Sequence, residues 1–270
     1  TLHDQSKMFE GSTITKANPA SFSYTVPLTV EKDESIVMDL LSDLVTTVDS
    51  GITTQQLKSF DMYVQTGSST FKIESCVITS AQFDFKLESQ FAVNLSGQGT
   101  KLTREGDESY TIPGTAQSES ATRTPLLVYP VVTVDSLSMN SIIATTLQVQ
   151  NNISWTPYEN LHDSLAVTNS SNAMYPSAYT VKNRVVSGAI TQYQTDNNVT
   201  QFDDFSTTSK INIKAVKVGK EGSDSGFFAI QINPAMYTAR AQVAEVYTQS
   251  YDFRSLDNTA TVANRITQYS

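Results

Sequence analysis

The longest unbroken alternation of apolar and polar residues constrains the fold of this chain most. Between residues 82 and 96 the large apolar side chains occupy odd positions only: Phe83, Phe85, Leu87, Phe91, Val93 and Leu95. Apart from Ala92, the even positions of the same stretch are polar or charged. Because successive side chains of a β-strand point to opposite faces, the pattern predicts a sheet with one apolar face and one polar face.

Residues 88–90 (Glu-Ser-Gln), in the middle of this pattern, decide between one long strand and a hairpin. A continuous strand would span about 50 Å at ~3.3 Å per residue, which exceeds the usual length of a strand. A hairpin with a three-residue loop pairs Phe85 with Val93 and keeps all the apolar residues on one face. We therefore predict a hairpin in this register.

The composition argues against several classes of protein. With a formal net charge of −9, the chain lacks the excess of Lys and Arg that binds nucleic-acid phosphates. Its single cysteine, Cys76, cannot form an intrachain disulfide. No apolar run approaches the roughly 20 residues of a membrane helix. We expect no membrane partner and no stable complex with nucleic acid.

Residues suited to catalysis or metal binding are sparse. The only histidines, His3 and His162, lie in no motif for a hydrolase triad or a zinc site. Cys76 lies within an alternating strand, which favours a packed thiol over a nucleophile. The acidic residues at 203–204 and 221–224 lack the spacing of a calcium-binding loop. The sequence therefore predicts no enzymatic activity, no catalytic residue, no cofactor and no metal.

The whole chain is predicted to be all-β, with one flanking α-helix. Residues 1–102 form a first β half with a helix at 34–48, whose apolar residues form one stripe. A polar loop or linker at 103–124 leads to a second β half at 125–256, and residues 257–270 form a polar tail. The halves could be distant copies of one another, or parts of one continuous domain.

The second half contains another alternating strand, at 142–155. Its polar positions are Gln148, Gln150, Asn152 and Ser154. The sequence Thr-Pro-Tyr-Glu at 156–159 predicts the start of a short helix that ends near His162. Gly188, inside a strand predicted at 178–195, indicates a β-bulge.

Two interpretations of the polar faces remain open from these residues. A sheet can bury one face and expose the other to solvent. Alternatively, hairpins from several copies can close into a barrel whose aqueous interior meets the polar side chains.

Five segments resemble, in this order, tail tube proteins of tailed bacteriophages. They are IESCVITSAQFDFKLESQFAVNLSGQGTKL (73–102), LQVQNNISWTPYENL (147–161), NRVVSGAITQYQTDNNVTQFDDF (183–205), FAIQINPAMYTA (228–239) and YTQSYDFRSLDN (247–258). The resemblance covers roughly residues 20–258. It implies a β-barrel or sandwich with a flanking helix, whose hairpins join a β-barrel shared between subunits. It also implies hexameric or pseudo-hexameric rings, of six or three chains, that stack into a tube.

The resemblance further implies a structural virion protein, the major tail tube subunit, whose bore conducts double-stranded DNA in transit during genome ejection. Its other partners would be tape-measure, baseplate or tail-tip, tail terminator and sheath proteins, and assembly would take place in the cytoplasm of the bacterial host. Rings would stack through residues 49–57, 103–124 and the C-terminal tail. The alternative is a phage decoration or receptor-binding β domain that forms a discrete oligomer.

Under this interpretation the polar positions of the two alternating strands line the lumen. For the hairpin these are Gln82, Asp84, Lys86, Glu88, Asn94 and Ser96. A second lumen strand would contribute Gln148, Gln150, Asn152 and Ser154. A polar wall with a net acidic charge would not retain the phosphates of passing DNA.

Overall fold

The computed structural model describes most of the chain. The described residues are 19–31, 33–41, 45–49, 52–86, 89–115, 118, 120–134, 137–155, 175–176, 178–195, 209–217, 228–243, 247–255 and 265–268. The predicted helix after Trp155 and the aspartates at 203–204 lie outside these residues.

Almost all of the described secondary structure is β-strand, as predicted. The one helix is α1 (Ser35–Leu41). The strands are β1 (Ala20–Pro27), β2 (Val45–Asp49), β3 (Ile52–Gln56), β4 (Phe60–Gln65), β5 (Thr70–Phe85), β6 (Ala92–Gly99), β7 (Leu102–Gly106), β8 (Val128–Val134), β9 (Leu137–Ser138), β10 (Ile142–Trp155), β11 (Tyr179–Tyr193), β12 (Ser209–Lys217), β13 (Phe228–Val243), β14 (Tyr247–Ser255) and β15 (Arg265–Gln268).

Thirteen strands form one antiparallel sheet. Its main path runs β1-β6-β5-β10-β11-β14-β13-β12-β8-β9, while β4 and β7 pair with β5, and β15 pairs with β13. Strands β2 and β3 form a separate two-stranded sheet. In the described residues the main path is open, since β1 and β9 stand at its two ends and the sheet is not closed into a barrel.

One hydrophobic core covers the apolar face of this sheet. It contains Phe83 and Leu95 from the predicted first half together with Leu147, Ile213 and Phe253 from the second. The rings of Phe85 and Phe91 lie 5.0 Å apart at its centre. The two predicted halves therefore share a sheet and a core, while the boundary between them stays a prediction.

The same arrangement of strands occurs twice in the sheet. In β1-β6-β5 and again in β11-β14-β13, an earlier strand pairs with the second strand of a hairpin. The first strand of each hairpin, β5 or β13, is 16 residues long. In both cases the N-terminal part of that long strand pairs with other strands, β4 and β7 or β12 and β15.

The predicted helix at 34–48 is wrong in its C-terminal part. Helix α1 ends at Leu41, and Val45–Asp49 is a strand that pairs with Ile52–Gln56. The β-branched run Val-Thr-Thr-Val at 45–48 explains the difference, because such side chains favour strands over helices. The helix does pack on the sheet as expected, since Val37 and Leu41 are buried in the core.

Several other boundaries also differ from the prediction. Strand β5 begins at Thr70, well before the predicted hairpin at 82–96, and it is continuous to Phe85 although Ser75 has a φ of +50°. Strand β7 lies in part within the predicted loop at 103–124, because its residues pair with the N-terminal part of β5. The predicted polar tail at 257–270 contains β15, which pairs with β13.

Gly188 is not at a bulge, since β10 and β11 pair regularly through it, with Leu147 as its partner. Its lack of a side chain serves close packing instead. A Cβ atom there would overlap the carbonyl oxygen of Thr146 and would lie 2.7 Å from the ring of Phe253. The core side of the sheet at this point therefore has room for glycine only.

We predict that Gly188→Ala lowers the free energy of unfolding by about 1–3 kcal/mol, as overpacking of a core does. Gly67→Ala is the matched control, because a Cβ atom at Gly67 would meet nothing within 4 Å. Chemical denaturation followed by circular dichroism measures both variants. Equal stability of the two variants would show that the sheet accommodates a side chain at position 188.

Candidate assembly surface

The hairpin of β5 and β6 separates its side chains by parity, as its sequence predicts. Phe83, Phe85, Phe91, Val93 and Leu95 are each no more than 2% exposed. On the opposite face Gln82, Lys86 and Asn94 are exposed, and Asp84 and Ser96 are half-buried. Leu87 and Glu88 lie outside the described residues. One face of the hairpin thus belongs to the core, and the other belongs to a surface.

The register of the hairpin differs from the prediction by two residues. Val93 pairs with Phe83 and not with Phe85, so the connection is longer than three residues. The backbone of Phe91 explains the shift, because its N–H donates to Leu126 O and its carbonyl accepts from Leu28 N–H, both at 2.8 Å. Phe91 is therefore bonded to two other segments and does not extend the ladder. A shift of two residues preserves the faces, because the side-chain period is two.

The second predicted strand lies directly beside this hairpin. In the pairing of β10 with β5, Gln148 is opposite Gln82 and Gln150 is opposite Ser80. The amide of Gln148 lies 3.5 Å from the hydroxyl oxygen of Ser80. The structure thus brings together two polar rows that the sequence places about 60 residues apart. Ser154 lies further along β10, beyond a register shift between Asn152 and Ile153.

The polar surface continues over seven strands, from β1 to β13 along the main path of the sheet. We call this surface the polar face. Its members are Ser21, Ser23, Thr25, Asn94, Ser96, Ser80, Gln82, Asp84, Thr146, Gln148, Gln150, Asn152, Asn183, Val185, Ser187, Ala189, Thr191, Ser250, Asp252, Arg254, Met236, Thr238 and Arg240.

Side chains on the polar face bond to one another across strands. The Thr25 hydroxyl donates to Asn94 Oδ1 at 2.7 Å, and the hydroxyls of Thr191 and Ser250 lie 3.0 Å apart. Within β5 the Gln82 amide donates to Asp84 Oδ1 at 3.0 Å. Such cross-strand pairs stabilise the sheet. These hydrogen bonds also fix the orientation of the polar side chains relative to one another.

The charges of the polar face balance. Its acids are Asp84 and Asp252 and its bases are Arg240 and Arg254, so two negative charges meet two positive ones. Arg240 and Asp252 form an ion pair at 3.0 Å. Lys86 follows the end of β5 and is exposed. Amides and hydroxyls therefore dominate these strands, and the net acidic character of the wall stays a prediction.

The β2–β3 hairpin shares no strand pairing with the main sheet in the described residues. It includes most of the segment at 49–57 that was expected to make contacts between rings. An isolated two-stranded hairpin is at best marginally stable in water. The role of this segment in contacts between rings stays a prediction.

The residues considered for metal binding or nucleophilic chemistry are not grouped in the described part of the chain. No group of three or more His, Cys, Asp or Glu side chains there could hold a metal ion. Cys76 is fully buried, and its burial raises the pKa of the thiol to about 11. His3 and His162 lie outside the described residues. None of the described helices has the length and apolarity needed to cross a membrane.

A family model covers residues 1–269 of the chain, that of the Bacteriophage Baseplate Tube Protein Family. The chain belongs to this family. It is therefore a structural component of the phage virion, a tube protein associated with the tail and its baseplate. No match was found among curated proteins.

The family confirms the sequence-based expectation of a phage tube protein without its finer part. Phage tube proteins were predicted from the strand patterns, whereas the matching family is that of baseplate tube proteins and not specifically of the major tail tube subunit. Sequence reasoning also missed the extension of the polar face over β11, β14 and β13. A signal was present, since Ser250, Asp252 and Arg254 alternate with Tyr251 and Phe253.

Replacing one core residue of the hairpin with a charged residue tests which face is buried. We predict that Phe85→Asp abolishes soluble expression, because a charge would enter a site that is 2% exposed. Gln82→Asp on the polar face is the matched control, and it should express like the wild type. Soluble yield and circular dichroism measure both. A well-folded Phe85→Asp protein would mean that the faces are assigned the wrong way round.

The buried thiol gives a second test. We predict that Cys76 of the native protein does not react with a thiol reagent near neutral pH, and that it reacts fully in denaturant, because the thiolate is the reactive form. A Cys76→Ser variant supplies the background of the assay. Since burial raises the pKa of the thiol from 9.0 to about 11, the neutral thiol favours the folded state, and this contribution to stability is lost as the pH rises from about 9 to 11. Rapid reaction of the native protein would contradict the packing around Cys76.

Proposed function

We propose that copies of this chain assemble into stacked rings that form a tube, and that the polar face lines the bore through which the genome passes. The observation that carries the proposal is a two-faced sheet that remains open in the single chain of a baseplate tube protein. An open edge invites a further strand. A barrel closed by several copies removes such edges.

The chemistry of the polar face suits the wall of a DNA conduit. An excess of Lys and Arg would bind phosphates at every step of passage. The polar face offers amides and hydroxyls that bond to one another, and its four charges sum to zero. A wall of this kind remains wetted and does not retain the DNA. The opposite face of the sheet is unavailable for this role because the core covers it.

The repeated strand arrangement supports rings of three chains with pseudo-six-fold symmetry. Each chain contains two equivalent hairpins, β5–β6 and β13–β14, in one sheet. Three such chains would supply six hairpins to a common barrel. Six chains per ring is the alternative, and it would give a bore with twice as many strands.

The remaining parts of the proposal concern the tail as a whole. The tube conducts double-stranded DNA during ejection, and its rings contact one another through the β2–β3 hairpin and the loops at the ends of the strands. Tape-measure, baseplate, terminator and sheath proteins are its proposed partners, and it assembles in the host cytoplasm. A role in the major tail tube itself belongs to the same proposal, as does the absence of enzymatic activity.

Electron microscopy of the purified protein in negative stain tests the assembly. We predict stacked rings or tubes with a stain-filled bore. Compact monomers or isolated oligomers across a range of concentrations and salt would contradict the proposal. They would favour a decoration or receptor-binding domain.

Charge substitutions test the bore. We predict that Gln82→Lys, Asp84→Lys and Asn94→Lys together slow DNA release from phage that carry them, most strongly at low salt, because Lys binds phosphate. Asp39→Lys, Val64→Lys and Val131→Lys form the matched control, since these exposed side chains lie on α1, β4 and β8, outside the polar face and the proposed ring contacts, and the set changes the charge equally. Fluorescence of a dye that binds released DNA gives the kinetics. Equal kinetics of the two sets would remove these residues from the lumen.

A further inference from the structure

Two strand edges bound the polar face within the described part of the chain. At one end β1 pairs with β6, and in the described residues nothing pairs with its outer side over Ala20–Pro27. At the other end, residues 228–235 of β13 pair with residues 209–215 of β12, and this pairing stops at Ala235. Its C-terminal part, Met236–Val243, pairs with β14 on one side, and no described strand pairs with its other side.

The edge at β1 lacks most of the usual protection of an edge in a monomer. Soluble proteins protect edges with short strands, prolines, bulges or inward-pointing charges. Strand β1 has eight residues, none of them charged, and its proline, Pro27, is the last of them. Its core-side residues Phe22, Tyr24 and Val26 are only half-buried. By contrast, the sheet ends at β8 and β9 with Pro130 and a strand of two residues.

The directions of the two edges follow from the topology. Six steps lead from β1 to β13 through β6, β5, β10, β11 and β14, and every one of them is antiparallel. An even number of reversals leaves β1 and β13 pointing the same way. Rotation about the axis of a ring carries one edge of a copy to the other edge of its neighbour without reversing a strand.

We propose that the partner of each edge is a second copy of this chain: β1 of one copy lies beside Met236–Val243 of the next in a continuous sheet, with the two strands pointing the same way. This inference rests on the proposed function, and it adds which edges meet and in which direction. The contact is head-to-tail, so it closes a ring by rotation. Contact of β1 with β1 of a second copy about a two-fold axis would instead be antiparallel and would give a discrete dimer.

The distance between these two strands distinguishes two forms of the contact between copies. If they touch, they lie about 5 Å apart and form the one parallel pair of the sheet. If one further strand lies between them, they are about 10 Å apart and every pair remains antiparallel. The residue order along both strands is the same in either form.

Cross-linking between copies tests the proposal. Single-cysteine additions are made at Ser21 or Thr25 on β1 and at Met236 or Arg240 on β13, all of which are exposed. One β1 variant and one β13 variant are mixed before assembly and treated with a bismaleimide that spans about 10 Å, two strand spacings. Covalent dimers on a denaturing gel then report contacts between copies only. Each variant alone and the wild type, with its buried Cys76, are the controls.

The pattern of yields reports the direction of the strands. For strands that point the same way, the pairs 21/236 and 25/240 have equal separations whatever the register, so we expect equal yields of dimer from Ser21→Cys with Met236→Cys and from Thr25→Cys with Arg240→Cys. If the strands pointed in opposite directions, the pairs 21/240 and 25/236 would instead have equal separations and equal yields. Disulfide formation without a linker would identify the directly paired form.

Two results would overturn the inference. One is the absence of mixed dimers from every combination in preparations that contain tubes. This result would leave the proposed function intact and would refute the contact between these two edges. The other is the yield pattern of opposite directions. If the wild type forms no rings or tubes at all, the proposed function fails, and the absence of mixed dimers refutes the edges as well.

Discussion

The separation of apolar and polar side chains across one antiparallel sheet is the constraint on which the rest of the structure depends. The aromatic residues of the β5–β6 hairpin can be buried only if the ladder keeps odd residues opposite odd residues. Phe91 then joins the hairpin to two further segments through its backbone, and its ring packs against Phe85 in the centre of the core. The described strands from β1 to β13 along the main path follow the same division, with most apolar side chains on the core side and most polar ones on the other.

Some features of the fold follow from local sequence alone, and others do not. The alternation at 82–96 predicts the hairpin and the faces of its residues, because parity is a local property. The end of its ladder is not local, since it is decided by bonds of Phe91 to Leu28 and Leu126, which are distant in sequence. The helix at 35–41 is similar: its apolar stripe continues beyond Leu41 in the sequence, but β-branched residues convert the continuation into a strand.

The polar face shows the same distinction. The two polar rows around Gln82 and Gln148 are evident in the sequence, whereas their position side by side requires the pairing of β5 with β10. The balance of charge on the face could not be predicted from the net charge of −9, because a sum over the chain does not report where each charge lies. Two arginines, Arg240 and Arg254, reach the face from strands whose place in the sheet is set by long-range pairing.

The measurement that tests the central claim most directly is a cryo-electron microscopy reconstruction of the assembled protein at a resolution that shows side chains. The account predicts that Gln82 and Gln148 point into a continuous, water-filled bore and that Phe83 and Leu147 point away from it into the body of each subunit. A map with the polar face on the outer surface of the assembly, or covered by another part of the same copy, would contradict the account.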